Sequence, residues 1–262
     1  MKRATFLAIV MFLTGCASGG HPPGKVMPTA LVGLHLDTYD LLLHPNIVQR
    51  STTYLDEIIA SNKYAKEIRI MFGYEEGQWL LDTLIPVVRA KGFKILPILS
   101  RGNQTRPYNT AADLAWLELA LPKISDLLIG VQLGNEQWQK KIEDKILTPF
   151  PPAEYVQWHN ALTPTIRRLA PGVPIVDGDI DGGWDNAMDW WKAIEAKGGV
   201  DIDFLSWHVY TSELPPTYGH RVWITESGDA EMCVEPAEKC FVFAWNFEGR
   251  FAKRPGGGIL PE

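Results

Sequence analysis

The sequence predicts an α/β protein built as a (β/α)8 TIM barrel, and three observations lead there. From Ala30 onward, short apolar β-branched runs alternate with longer amphipathic stretches, the pattern of a parallel sheet with helical crossovers. Eight such runs occur in about 230 residues, close to the roughly 250 typical of the barrel. A doubly wound open sheet is the runner-up. It usually carries a phosphate loop in its first crossover, and neither G-x-G-x-x-G nor G-x-x-x-x-G-K-[ST] is present.

The first segment stands outside the fold. Met1-Lys2-Arg3 is a positive n-region, residues 4–13 are a short apolar h-region, and Leu13-Thr14-Gly15-Cys16 closes it with small residues before a cysteine. Ten apolar residues are too few for a bilayer span, which takes about twenty. Residues 1–16 resemble a lipoprotein signal peptide with Cys16 as the lipidated residue, and Ala17 after it matches the outer-membrane rule of such lipoproteins. Residues 17–29, rich in Gly and Pro, read as a flexible tether, leaving 30–262 for the barrel.

The predicted strands are ALVGLHLD from 30, EIRIMFG from 67, FKILPILS from 93, LLIGVQLG from 127, PIVDGDI from 174, DIDFLSWHVY from 201, RVWITES from 221 and CFVFAWNF from 240. Helices are expected over 47–61, 77–91, 109–121, the stretch opened by Pro152, and 184–197. In the fourth, Tyr155, Trp158, Leu162, Ile166 and Leu169 form one apolar stripe before Pro171-Gly172 ends it. The connection between the sixth and seventh runs is short and little chain follows the eighth. One or two outer helices are therefore expected to be missing or reduced.

In such barrels chemistry sits at the C-terminal strand ends. The run ends here are His35 and Asp37, Arg69 and Tyr74, Ser100 and Arg101, Asn135 and Glu136, Asp177 and Asp179, His208 and Tyr210, Glu226, and Trp245 with Asn246. Glu136 ends the fourth run and Glu226 the seventh, so the barrel would bring them to one mouth. Two carboxyl groups across a cleft suit glycosidic bond cleavage: one protonates the leaving oxygen, and the other attacks the anomeric carbon or activates water. The plainer readings are a surface loop glutamate for Glu136, a helix-capping one for Glu226, a structural ion pair for Arg69 and core packing for His208 and Tyr210.

Asn135-Glu136, Trp207-His208-Val209-Tyr210 and Ile224-Thr225-Glu226, in that order on the fourth, sixth and seventh strands, resemble the retaining glycoside hydrolases of clan A, the 4/7 superfamily. The resemblance implies Glu136 as acid/base and Glu226 as nucleophile. It implies Asn135 as the amide on the sugar 2-hydroxyl, Arg69 as the cation that keeps the nucleophile ionised, and His208 and Tyr210 beside the same carboxylate. It places Trp245 at the floor of the −1 subsite. Trp138 and Trp184 are further candidate stacking faces. Compact β-1,3-glucanases, family 39 and family 5 share these short signatures.

Composition narrows the alternatives. A net charge of −6 without a basic block leaves no footprint for nucleic acid. Asp177, Asp179, Asp181 and Gly182 begin like an EF-hand loop, but Met188 stands where the bidentate glutamate belongs. With no H-E-x-x-H present either, neither a metal nor a cofactor is expected. With Cys16 used as an anchor, Cys233 and Cys240 remain as a disulfide pair in an exported protein, or else as two buried thiols. The expected function is that of a monomeric, lipid-anchored outer-membrane enzyme, endo-acting on a β-linked polysaccharide. A carbohydrate-binding lipoprotein on the same barrel, or a trimming or transglycosylating enzyme of exopolysaccharide biosynthesis, are the alternatives.

Overall fold

The computed structural model describes residues 25–28, 32–36, 47–61, 64–99, 109–138, 141–142, 145–146, 149–181, 185–210, 214–228 and 230–242. The signal segment, Cys16, Asp37, Ser100, Arg101, Trp184, Trp245 and Asn246 lie outside them. Eight parallel strands close into a barrel: β1 (Val32–His35), β2 (Glu67–Met71), β3 (Lys94–Ile98), β4 (Val131–Gln132), β5 (Ile175–Asp181), β6 (Phe204–Val209), β7 (Arg221–Ser227) and β8 (Lys239–Val242). Closure is made by β1 against β8, with Val32 opposite Cys240 and Leu34 opposite Val242. Gly33 is needed at this seam, because a Cβ there would meet the Phe241 ring at 2.6 Å and the Glu67 carbonyl at 2.9 Å.

Among the described residues, five α-helices cover the outside: α1 (Ile47–Ser61), α2 (Tyr74–Ala90), α3 (Thr110–Ile124), α4 (Pro152–Leu169) and α5 (Asp185–Glu195). Each follows one of the first five strands, as predicted, although α2 begins three residues earlier and α3 ends three later than the apolar periodicity marks. Tyr155, Trp158, Leu162 and Ile166 of α4 are buried against the sheet. A two-residue hairpin, Lys141–Ile142 against Lys145–Ile146, was not anticipated.

Past β6 the cladding changes. Among the described residues, the β6 to β7 connection is turn and coil, and the β7 to β8 connection holds one 3-10 turn, Ala230–Met232. A disulfide between Cys233 and Cys240 ties that second connection to the second residue of β8. The predicted tether needs correction at its end, because residues 25–28 are docked. The Met27 amide donates to the Cys233 carbonyl at 2.7 Å and the Glu235 amide to the Lys25 carbonyl at 3.0 Å. Met27, Cys233 and Val234 are buried. Their apolar contacts cover the wall that has no α-helix among the described residues and hold this segment down.

Within the apolar strands, side chains alternate between a helix-facing layer and the barrel interior. Leu96, Val176, Phe204, Trp223 and Phe241 fill the lower interior as a separate apolar cluster. Above it the inward positions turn polar.

Candidate active site

Strand period and two irregularities aim the polar side chains. On β6 the outward Leu205, Trp207 and Val209 join the helix-facing core, so Ser206, His208 and Tyr210 point to the interior. On β2, Arg69 is inward and fully buried between Ile68 and Ile70. On β7 strict alternation would place Glu226 on the same side as Ile224, under the helices. Instead the register with β6 slips by one, Trp207 pairing with Ile224 and His208 with Glu226. This bulge turns Thr225 and Glu226 both inward, a known use of bulges beside active sites.

A second bulge does the same on β5, where Asp177 pairs with Leu205 but Ile180 with Trp207. Gly178 has φ 120° and Asp179 φ 47°. A Cβ at Gly178 would lie 2.6 Å from Leu205 Cδ1, so the bulge requires glycine there. Its effect is to leave Asp177 outside and swing Asp179 inside. Past β4, Gly134 (φ 80°) and Glu136 (φ 53°) reverse the chain. A left-handed glutamate is strained, and such strain gathers at functional sites. The Glu136 amide is held in place by donating to Asp179 Oδ2 at 3.2 Å.

The resulting network is nearly closed. Arg69 donates through Nη1 to Glu226 Oε1, through Nε to Gln132 Oε1 at 2.7 Å and through Nη2 to Asn135 Oδ1 at 2.5 Å. Gln132 passes its amide hydrogens to Asp179 at 2.9 and 3.0 Å. Ser206 donates to Asp179 at 2.5 Å, and Tyr210 to Glu226 Oε2 at 2.5 Å. His208 Nδ1 lies 2.9 Å from Glu136 Oε1 and 3.7 Å from Glu226 Oε2, and its Nε2 lies 3.4 Å from Asp179. One ligand atom from each of Glu136, His208 and Glu226 falls within 4.8 Å of the others.

The electrostatics split the two glutamates. Burial pushes Glu136 above the ordinary carboxylate range, and the neighbouring Glu226 and Asp179 add to this against the opposing pull of His208. Burial acts on Glu226 in the same sense, but the charges of His208 and Arg69 outweigh it and bring its pKa down to about 2. Burial would lower His208, yet Glu226, Asp179 and Glu136 raise it well above the usual imidazole value, so it stands as a cation. His35 goes the other way, to about 3, through burial and the adjacent guanidinium. Neutral His35 therefore accepts from Arg69 Nη1 at Nδ1, 2.6 Å away. Tyr210 is held as the phenol by burial and by Glu226. One carboxyl group is thus held as the anion beside one that gives up its proton less readily than an ordinary carboxyl, the division that acid/nucleophile chemistry needs. Glu136, His208 and Glu226 are also spaced to hold a metal ion, but His208 and Arg69 already supply the positive charge that an ion would bring.

Glu136, Glu226, Asn135, Arg69, His208 and Tyr210 converge as predicted. Trp138 does not serve as a stacking face: it is 2% exposed and its indole N–H donates to the Asp179 carbonyl at 2.6 Å. It packs behind the site because the chain turns back at Glu136. Asp177 faces α4 and not the cleft. Gln132 and Ser206 were missed. Each is a single polar residue at an inward position of an apolar run, and that parity was the available signal.

No family model and no curated protein matches the sequence. Solved structures share the fold. The virulence factor SghA, in complex with its substrate analogue salicin, superposes with a TM-score of 0.53 at 12% identity over 83% of this chain and 86% of that one. A monomeric β-xylosidase from Caulobacter crescentus CB15 gives 0.53 at 15% over 87% of this chain, which spans 63% of that protein. A GH5_18 protein from Streptomyces cattleya, in complex with GlcNAc, gives 0.57 at 12% over 84% and 71%.

Proposed function

We propose that this protein is a retaining glycoside hydrolase of the clan A type, cleaving a β-linked glycan by two displacements. The observation that carries this reading is the approach of Glu136 and Glu226, with carboxyl oxygens within 4.8 Å of each other. Retaining enzymes hold their carboxyl groups about 5–5.5 Å apart, whereas inverting enzymes leave about 6.5–9.5 Å for a water. The fold likeness to a β-xylosidase and to sugar-bound barrels supports the same class.

In the first displacement a Glu226 carboxylate oxygen bonds to C1 while the C1–O bond to the leaving group breaks and that oxygen takes the Glu136 proton. In the second, Glu136 takes a proton from water, the water oxygen bonds to C1, and the Glu226 ester bond breaks. Arg69 and His208 keep Glu226 anionic, and the Tyr210 hydroxyl fixes its second oxygen. Asn135 spends Oδ1 on Arg69 and so turns its amide donor to the sugar. Glu136 is the more open of the two, its side chain 20% exposed against 6%, as proton delivery to a bulky leaving group requires.

The test is hydrolysis of a panel of β-glucans, mannans, xylans and bacterial exopolysaccharides by wild type, Glu136→Gln and Glu226→Gln. Each variant is expected to lose at least about 10³-fold in kcat, and the anomeric configuration is expected to be retained in the product. Wild-type turnover in either variant refutes the assignment, and binding without product release would instead make the protein a carbohydrate-binding one. Cleavage inside the polysaccharide now rests on Trp184 and Trp245, with Trp138 buried, and a product ladder of oligosaccharides checks it. The outer-membrane anchor at Cys16 is part of this proposal, and radiolabelled palmitate incorporation lost in Cys16→Ser tests it.

A further inference from the structure

A second buried polar cluster lies behind the site, on the outer face of β5, and the chemistry above does not use it. Asp177 is 2% exposed and His159 fully buried. Asp177 Oδ1 accepts from the Gly178 amide at 2.6 Å, which is the amide of the bulge itself. Its Oδ2 accepts from the Tyr155 hydroxyl and lies 3.2 Å from His159 Nε2. The Tyr155 oxygen is also 3.1 Å from the Leu133 carbonyl. One phenol of α4 therefore touches the tips of two strands, two residues before Asp179 and three before Glu136.

Those two tips carry the backbone strain of the site. Gly134, Glu136, Gly178 and Asp179 all have positive φ, and strained conformations persist only where the surroundings over-determine them. From inside, Asp179 grips the Glu136 amide, Gln132 and Ser206. From outside, Tyr155, Asp177 and His159 grip the bulge that puts Asp179 there.

We infer that Tyr155, Asp177 and His159 form a positioning cluster that acts through the β5 bulge and Asp179 to set where the Glu136 carboxyl group stands relative to Glu226. The cluster touches no reacting atom. Loosening it lets Asp179 and the Glu136 turn relax together, while Glu226, held by Arg69 and Tyr210 from other strands, stays in place. The inference rests on the assignment of Glu136 as acid/base.

The test compares Tyr155→Phe and Asp177→Asn with Trp158→Phe. The last variant removes a buried hydrogen bond of the same helix, from Trp158 Nε1 to Asp113 at 2.8 Å, and keeps an aromatic ring at the contact with Tyr155, where the two ring centroids lie 5.5 Å apart, so that only a bond outside the cluster is lost. Kinetics are read with aryl glycosides of poor and good leaving ability, since a good leaving group needs no proton from Glu136. Tyr155→Phe is expected to lose about tenfold in kcat on the poor leaving group and under about threefold on the good one, with KM little changed and the alkaline limb of the pH profile displaced. Trp158→Phe is expected to lower Tm without either effect. Equal losses on both substrates with an unmoved alkaline limb, or the same pattern in Trp158→Phe, would overturn the inference. Asp177→Asn provides the same readings if Tyr155→Phe folds poorly. Carboxyl ¹³C NMR of Glu136 separates this outcome from failure of the functional reading. If the wild type cleaves no glycoside, a Glu136 titration that shifts in Tyr155→Phe and not in Trp158→Phe still supports the positioning role, and one that shifts in neither removes it.

Discussion

The floor and the mouth of the barrel are built from the same strands by opposite rules. At the floor, Leu96, Val176, Phe204, Trp223 and Phe241 close on one another, with the Phe204 and Trp223 rings 4.8 Å apart. At the mouth, three residues past Val176, four past Phe204 and three past Trp223, the inward positions hold Asp179, His208 and Glu226, with Arg69 of β2 beside them, all buried and all ionised or held by ions. Apolar contacts tolerate small shifts, but a buried charge tolerates the loss of no partner. The difference teaches that one end of each strand supplies stability while the other consumes it to keep charges apart and poised.

The largest effect should come from breaking the mouth. Arg69→Met leaves Glu226, Asn135 and Gln132 without their shared donor. It is expected to cost at least about 10³-fold in kcat and roughly 3 kcal/mol or more in stability, measured by kinetics and by urea unfolding. Breaking the floor should separate the two quantities. Trp223→Ala is expected to lose about 3–5 kcal/mol while the kcat of the molecules that remain folded changes little.

A pH series sharpens the contrast, because only the mouth titrates. Glu226 has a folded pKa of about 2 against 4.5, so its contribution to stability is present above about pH 4.5 and disappears as pH falls toward 2. His208 is raised above 6.5, so its contribution is complete below about pH 6.5 and disappears as pH climbs through its higher folded value. Glu136, a carboxyl raised by burial, costs stability as pH rises above its unfolded value. Tm is therefore expected to fall at both ends of the scale, and activity to fall on the alkaline side as Glu136 loses its proton. In Glu226→Gln the acid-side loss of Tm should shrink. The smallest effect belongs to the wall: Cys233→Ser with Cys240→Ser closes no loop and is expected to cost about 2–3 kcal/mol in calorimetry without changing kcat.

Much of this was legible in the chain. The eight barrel strands and the five α-helices of the described residues fall where the alternation of apolar runs and amphipathic stretches places them, because burial on both sides of a parallel strand leaves so plain a signature. Glu136, Glu226, Arg69, His208 and Tyr210 were found by their place at run ends. The bulges were not legible: one inserted residue is invisible in Ile224-Thr225-Glu226, yet it decides which way Glu226 faces. The same slip separates Asp177 from Asp179, which look equivalent in PIVDGDI. Trp138 was misjudged because a tryptophan after an acidic residue looks like a sugar platform, while the left-handed turn at Glu136 sends it into the core. Gln132 and Ser206 needed the parity of their strands, which only the register supplies.

The docking of residues 25–28 onto the Cys233–Cys240 connection has a mechanical consequence. Tension entering through the leading segment meets the Met27–Cys233 and Lys25–Glu235 backbone bonds first. It then passes through a covalent staple into β8. The load is carried along the wall opposite β4 in the ring of strands, so a pull applied at Lys25 strains the side of the barrel that holds no part of the Glu136 turn.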